Sequence, residues 1–240
     1  MTEEKARKIQ WYYRMFRIVA ITAIILTISV AAMAEDDFGI WTNVTVNKTL
    51  SSKWAVEAGT EYRTKENSGQ MDQWQLEATG IYTVCKYLKL SADYEFHLKN
   101  RKSLDGGTEN ITRHRFMFGV TPQTTVGGWL KLSLRERYQY TGIPEQNGIG
   151  ASNDHHLRSR FKAEVSKKNL RWAPYTSCEL FNYFNENFKL DEIRITAGTG
   201  YKINSHHTVS LGYLLKMDND GNDHFSKRRH VVQMGYTYRW

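Results

Sequence analysis

The chain has 240 residues, a mean hydropathy of −0.59 and a formal charge of +8 at pH 7. It contains 14 tyrosines and 17 glycines but only 3 prolines, and no segment shows a 3.6-residue apolar period, so the composition favours a single all-β domain over a helical one. The positive excess is modest, and we expect no nucleic-acid partner.

The N-terminal segment has a basic start, an apolar run from Ile18 to Val30, and small residues up to Ala34. The run of 13 residues is shorter than the roughly 20 that a transmembrane helix needs. We therefore predict a secretory signal peptide over residues 1–34, with Met15 as an alternative start, and a barrel domain over residues 35–240. Cleavage removes 5 of the 33 Lys and Arg and 2 of the 25 Asp and Glu, which leaves a formal charge near +5.

Period-2 alternation recurs along the remaining chain. Between residues 87 and 99, for example, Leu88, Leu90 and Tyr94 alternate with Lys89 and Asp93. Such segments have the length that a tilted membrane strand requires. The pattern predicts candidate strands at 38–48, 53–64, 73–85, 87–99, 111–122, 129–141, 155–166, 172–184, 191–203, 207–217 and 229–240.

The connections between these segments alternate between short turns and longer polar, glycine-rich stretches. In outer-membrane barrels the short turns face the periplasm and the long loops face outward. The predicted long loops are residues 65–72, 100–110, 142–154, 185–190 and 218–228.

The number of candidate strands conflicts with a rule for bacterial barrels. Single-chain bacterial barrels have an even number of antiparallel strands, and an odd count would start the first strand at the outer end. We therefore predict a single transmembrane antiparallel β-barrel of 10 or 12 strands. Either the segment 40–47 lies outside the wall, or a further strand lies in a predicted loop.

The residues predicted to face the lumen separate by charge. Acidic residues come from the second to fourth strands, and basic residues come from the fifth to seventh strands. Such walls could form a charge network that closes the bore, or a narrow, porin-like pore that guides small anionic solutes. We expect Glu179 to pair with Arg135 or Arg137. The predicted lumen residues are Glu57, Glu61, Glu77, Asp93, Glu95, Arg113, Arg115, Lys131, Arg135, Arg137, Arg158, Arg160 and Lys162.

An enzyme of outer-membrane lipids needs a nucleophile within hydrogen-bond reach of a base. His155, His156 and Ser159 are close in sequence, but His155 and Ser159 would lie about 13 Å apart along a strand. We predict no catalytic residues, and keep a lipid-modifying hydrolase as an alternative beside surface adhesion or partner binding through the long loops.

No metal or cofactor site is predicted. Residues 218–223 alternate Asp and Asn around a glycine, but Arg229 stands where a calcium-binding EF-hand loop carries its last ligand, Glu. The adjacent pairs at 155–156 and 206–207 would point to opposite faces of a strand.

The only cysteines, Cys85 and Cys178, are predicted to stay unpaired, because a strand and a turn end would hold them too far apart for a disulfide.

The C-terminal strand ends on Tyr236, Tyr238 and Trp240, which alternate with polar residues and glycine. This ending resembles the assembly signal of bacterial outer-membrane barrels. The resemblance implies the outer membrane of a Gram-negative envelope, and as partners the barrel-assembly machinery, outer-membrane lipids and lipopolysaccharide. We expect a monomer.

The chain as a whole resembles a family of small bacterial outer-membrane barrels known as a domain of unknown function. The resemblance covers nearly all of residues 38–240 and rests on Trp41, the Trp172–Tyr175 segment, the Glu179–Phe181 segment and the Tyr238–Trp240 end. It implies the fold and the location but brings no catalytic residues. The general character is similar to envelope proteins of the Bacteroidetes.

Overall fold

The computed structural model describes residues 36–103, 106–146, 148, 150–167, 170–184, 188–219 and 224–240. The predicted signal peptide lies outside these residues. Within them no helix is long and apolar enough to cross a membrane. Residues 37–240 form one compact unit. Its strands are β1 (Asp37–Thr49), β2 (Trp54–Lys65), β3 (Gln70–Cys85), β4 (Leu88–Lys102), β5 (Thr108–Val126), β6 (Leu130–Ile143), β7 (Ser152–Val165), β8 (Trp172–Tyr183), β9 (Lys189–Lys202), β10 (His207–Asp218) and β11 (Lys227–Arg239).

The eleven strands close into a barrel, in which each strand pairs antiparallel with the next and β1 pairs parallel with β11. The parallel pair runs in register from Asp37↔Arg229 to Asn47↔Arg239. Strand direction alternates along a meander, so the first and last strands of an odd set run the same way. The predicted all-β barrel is confirmed, and its count of eleven strands lies within the predicted range of 10 to 12. The wall is not antiparallel throughout, because a parallel seam allows an odd barrel to close. The segment 40–47 lies in the wall.

The two ends of the barrel differ in their connections. The turn end carries residues 50–53, 86–87, 127–129, 166–171 and 203–206, and the loop end carries residues 66–69, 103–107, 144–151, 184–188 and 219–226. No loop-end connection exceeds eight residues. The stretches predicted as long loops are shorter than expected because the backbone ladder continues through polar sequence. Arg101, for example, pairs with Glu109 across β4 and β5 at 2.8 Å.

The distribution of polarity is inverted relative to a water-soluble barrel. Outward side chains are apolar and exposed, as for Phe118 at 64% and Leu211 at 58%. Inward side chains include buried charged and polar groups, among them Glu95, His97 and Glu179. An apolar exterior around a polar interior is typical of a transmembrane barrel.

Aromatic side chains gather on the outer surface near both ends. At the turn end Trp54 packs on Tyr82 with ring centroids 4.8 Å apart, and Trp172 packs on Tyr201 at 4.7 Å. Near the loop end the outward aromatics include Tyr62, Tyr138 and Tyr140. Two such girdles mark the two interfaces of a membrane.

Candidate functional site: a charged lumen

The lumen contains a cavity of about 730 Å³. At the turn end its lining includes Lys167, Lys202 and Arg239. Further in, the lining includes Arg135 and Arg160. The buried inward residues belong mainly to the loop-side half of their strands, so side chains crowd the lumen near the loop end, where the cavity lining still reaches Asp72, Lys99 and Arg229. These buried residues include Trp41, Gln73, Glu95, His97, Ile111, Thr141, Glu179, Glu192, Leu214 and Val231.

A β-bulge contributes to the filling of the loop-side half. The register between β2 and β3 shifts next to Arg63, and both Asp72 and Gln73 become buried. The carboxylate of Asp72 then accepts hydrogen bonds from Lys99 Nζ at 2.6 Å and from Arg229 Nη1 at 3.1 Å. Asp72 therefore links β3 and β4 to β11 on the other side of β1 and β2.

A second ionic group lies on β9 and β10. Glu192 pairs with Arg194 on its own strand and with Lys216 Nζ at 3.0 Å. Neither this group nor Asp72 was predicted as a lumen site.

An apolar cluster sits among these charges. Trp41, Leu214 and Val231 pack together inside the wall formed by β1, β10 and β11. The guanidinium groups of Arg63 and Arg194 lie over the Trp41 ring at 4.0 and 5.3 Å. Trp41 thus bridges the apolar cluster and the cations of the loop-side half.

Two of the predicted acidic residues meet predicted basic residues. Glu95 Oε2 lies 2.8 Å from both Arg115 Nη1 and His97 Nε2. Asp93 lies 3.3 Å from Arg137 Nη2. These contacts join β4 to β5 and β6, so the acidic and basic walls meet along their shared boundary.

The other three predicted acids are held on their own side of the lumen. Glu57 accepts a hydrogen bond from Asn47 on β1, and Glu61 pairs with Arg63 on its own strand. Glu77 lines the cavity and has no salt bridge to a basic residue that the structure describes.

The basic wall centres on four arginines of β6 and β7. Arg135 lies directly opposite Arg160, and Arg137 lies directly opposite Arg158. Glu179 on β8 accepts from Arg135 Nη2 at 2.7 Å and lies 3.1 Å from Arg158 Nη2. Like charges at directly opposed positions are unfavourable, so Glu179 and Asp93 offset part of a strongly positive surface.

Arg160 differs from the other three arginines. It lines the cavity and has no salt bridge to any acidic residue in the described part of the chain. The Nε atoms of Arg135, Arg137 and Arg160 are buried and lack a hydrogen-bond acceptor there. The Nε atom of Arg113, closer to the loop end, is in the same condition.

Toward the turn end the wall continues with Lys162 on β7. Lys162 pairs with Glu164 and places its Nζ 4.5 Å from the centre of the Tyr175 ring. Lys131 lies on the lumen face of β6, directly opposite Glu164 in the ladder, and makes no salt bridge with any residue that the structure describes.

The comparison with known families identifies the chain. A family model described as protein of unknown function (DUF2490) matches residues 38–227. The chain belongs to the DUF2490 family. This confirms the resemblance to a family without assigned function. No curated protein matches the chain.

A comparison with solved structures finds the β-domain of the Bordetella autotransporter BrkA. The TM-score is 0.48 at 10% identity, and the match covers 78% of this chain and 82% of that one.

The residues considered for an enzyme lie apart in the DUF2490 barrel. Ser159 faces outward and its Oγ donates to Glu136 Oε2 at 2.6 Å. His156 faces the lumen, on the other side of the wall. His155 faces outward but bonds Tyr138 Oη at 2.6 Å, four residues along the strand from Ser159. These residues form no nucleophile–base pair.

The described residues of the DUF2490 barrel contain no group of three or more His, Cys, Asp or Glu that could hold a metal ion. Of the calcium-like segment, residues 220–223 lie outside the described residues. Cys85 and Cys178 are free and exposed.

The C-terminal aromatics, Tyr236, Tyr238 and Trp240, occupy the outer surface at the turn end. Tyr236 Oη lies 2.6 Å from Nδ1 of His207. The Trp240 amide donates to the Asn47 carbonyl at 2.8 Å, which extends the seam between β1 and β11 to the last residue.

Proposed function

We propose that this chain is an outer-membrane β-barrel that admits small anionic solutes into a basic lumen and restricts their passage at the loop end. The observation that carries the proposal is the asymmetry of the lumen. The lining of the cavity of about 730 Å³ runs from the turn end to the loop end, and the buried charged and apolar side chains that crowd the lumen lie mainly in the loop-side half.

The membrane part of the proposal rests on the apolar exterior, the two aromatic girdles and the absence of open strand edges in the closed barrel. With short turns toward the periplasm, the turn end is the periplasmic mouth. A signal peptide over residues 1–34 would deliver the chain to that compartment.

The anionic preference follows from the charge of the cavity wall. Arg135, Arg137 and Arg160 lie in its middle, and Lys202 and Arg239 lie toward the mouth. A confined, low-dielectric channel with one dominant sign of charge concentrates the opposite ion. Cations should therefore enter less readily than anions.

Conductance in planar lipid bilayers tests this proposal. We expect the folded wild-type barrel to give small steps whose reversal potential in a KCl gradient indicates chloride preference. Trp41→Ala removes the ring that lies under Arg63 and Arg194, and it should enlarge the steps.

The matched control is Trp54→Ala, which removes the same side chain from the outer girdle and should leave the steps unchanged. Cation-selective steps, or silence from all three folded proteins, would overturn the proposed passage. Heat-modifiable migration on gels establishes that each variant is folded.

The structure gives less support to the other two functions. Ser159 and His156 lie on opposite sides of the wall, and the loop-end connections are short for a binding surface made of loops.

A further inference from the structure

We infer that the basic wall contains a binding site for a doubly charged oxyanion of the phosphate class, centred on Arg135, Arg137 and Arg160. This inference deepens the proposed function, because it names the kind of anion that the lumen takes.

The first observation is the local charge balance. Arg135, Arg137, Arg158 and Arg160 form two directly opposed pairs across β6 and β7. The carboxylates that contact them are Glu179 and Asp93. Four positive charges against two negative ones leave a formal charge of +2 within this group of six residues. A phosphate group carries about −1.5 to −2 charge at pH 7, so one such group would balance it.

The second observation is the unmet hydrogen-bonding capacity of the same side chains. Buried N–H groups normally have acceptors. The Nε–H groups of Arg135, Arg137 and Arg160 have none in the described part of the chain. A guanidinium group presents a planar fork that matches two oxygens of a phosphate. Arg160, which has no carboxylate partner there, presents this fork without losing an existing ion pair.

The third observation is that the cluster is reachable. All three arginines line the cavity, whose lining extends to the turn end through Lys202 and Arg239. A volume of about 730 Å³ lies in the range of small-molecule pockets, roughly 300–1,000 Å³. The site therefore suits a water-soluble phosphate, or a phosphate ester of a small polar compound, that enters from the turn end.

The alternative reading of these arginines is a purely structural wall. A structural wall would be expected to place an acid next to every buried guanidinium, because an unpaired charge is costly in a confined lumen. Glu179 makes salt bridges to Arg135 and Arg158, and Asp93 to Arg137, whereas Arg160 lies directly opposite Glu179 in the ladder but makes no salt bridge with a described acid. The guanidinium group without a salt bridge therefore belongs to a residue that lines the cavity.

Titration calorimetry of inorganic phosphate into the folded full-length protein in detergent, at low chloride, tests the site. We expect saturable binding at one site, with nitrate binding much more weakly because it carries a single charge. Arg160→Gln should weaken phosphate binding at least tenfold. Lys131→Gln removes one positive charge from the lumen face of β6 outside the cluster, and it should change the affinity less than twofold.

Two outcomes would overturn the inference. One is a folded wild-type barrel for which the titration shows no saturable heat of phosphate binding. The other is an equal loss in Arg160→Gln and Lys131→Gln, which would indicate a general cationic field. These results are separate from the conductance measurement. Anion-selective steps without saturable phosphate binding overturn the site alone, and saturable binding by a barrel that is silent in bilayers overturns the passage alone.

Discussion

At the scale of single residues, Glu179 holds together the centre of the basic wall. Its carboxylate serves both Arg135 and Arg158, and its side chain is only 8% exposed. Glu179→Gln removes this shared negative charge and leaves four arginines facing one another. Since breaking a buried ion pair costs about 3–5 kcal/mol, we expect a loss of that order in the free energy of unfolding, measured by urea denaturation in lipid vesicles.

Arg135→Met should lower the free energy of unfolding by less than Glu179→Gln does, because in Arg135→Met the Glu179 carboxylate keeps Arg158 as a partner. In the double variant the two losses should not add, since each removes part of the same contact. Lys131→Met is the control, as Lys131 makes no ion pair with a described residue, and its effect should stay within about 0.5 kcal/mol. Additive losses, or an equal loss in the control, would show that Glu179 does not organise the wall.

Two glycines on the lumen face of β9 differ in the space around them. A methyl group on Gly198 would lie 2.8 Å from the Leu211 carbonyl oxygen and 2.9 Å from the Gly212 Cα atom. A methyl group on Gly200 would meet nothing nearer than 3.7 Å. Gly198→Ala therefore forces backbone atoms of β10 apart, and we expect a loss of about 1–3 kcal/mol in unfolding free energy.

Gly200→Ala is the matched control and should be tolerated. Both variants are compared by the temperature at which the barrel loses its compact, fast-migrating form on gels. Equal temperatures for the two variants would contradict the close approach of β9 and β10.

The sequence predicts which side chains face the lumen better than it predicts their partners. Alternation alone identifies Arg135 and Glu95 as inward residues, because period 2 is a local property. Around Glu179 the alternation is ambiguous, because aromatic residues fall on both faces of that segment. Asp72 was placed in a predicted loop, and it faces inward only because a bulge shifts the register of β3. Arg194 reaches Trp41 across the lumen, and no spacing along the chain encodes that contact.

At the scale of strands, the seam between β1 and β11 decides the architecture. Thr45 lies opposite Thr237 in the parallel register and both face the lumen. With Cys85 and Cys178 replaced by Ser, Thr45→Cys with Thr237→Cys should form an intrachain disulfide on oxidation, because neighbouring strands hold directly opposed residues within disulfide range. A shift in migration of the denatured protein without reductant reports the link.

The control pairs Thr45→Cys with Gln233→Cys, which lies on the same face of β11 four residues away, about 13 Å along the strand. It should not form the link. If residues 40–47 were outside the wall, as one of the sequence-based alternatives proposed, neither pair would link.

Strand positions were predictable and strand ends were not. All eleven candidate segments overlap the observed strands. Each strand has an apolar outer face and a polar inner face, so apolar and polar residues alternate along its sequence. The ends extend further than predicted at Thr108 and Ser152, since beyond the apolar outer band polar residues suit both faces of a strand. The parallel closure escaped prediction because it depends on the first and last strands, which share no local pattern.

At the scale of the whole molecule, we predict that lipid covers the apolar exterior. Leu211 on β10 and Leu50 in a turn-end connection are exposed to nearly the same extent, 58% and 56%. They differ in position, because Leu211 lies on the wall between the girdles and Leu50 lies beyond its turn end. Leu211→Arg should therefore lower the free energy of unfolding in vesicles by about 2–4 kcal/mol, the range for a basic residue that faces lipid near the bilayer centre.

Leu50→Arg should change the free energy of unfolding little, since an arginine at the membrane interface stays hydrated. The free energy of unfolding of each variant is measured by urea denaturation in lipid vesicles whose bilayer thickness matches the apolar band of the barrel. If the barrel worked in water, two equally exposed leucines would tolerate arginine equally well, and the difference between them would vanish. The comparison thus tests the membrane environment independently of conductance and of phosphate binding, because neither residue touches the lumen.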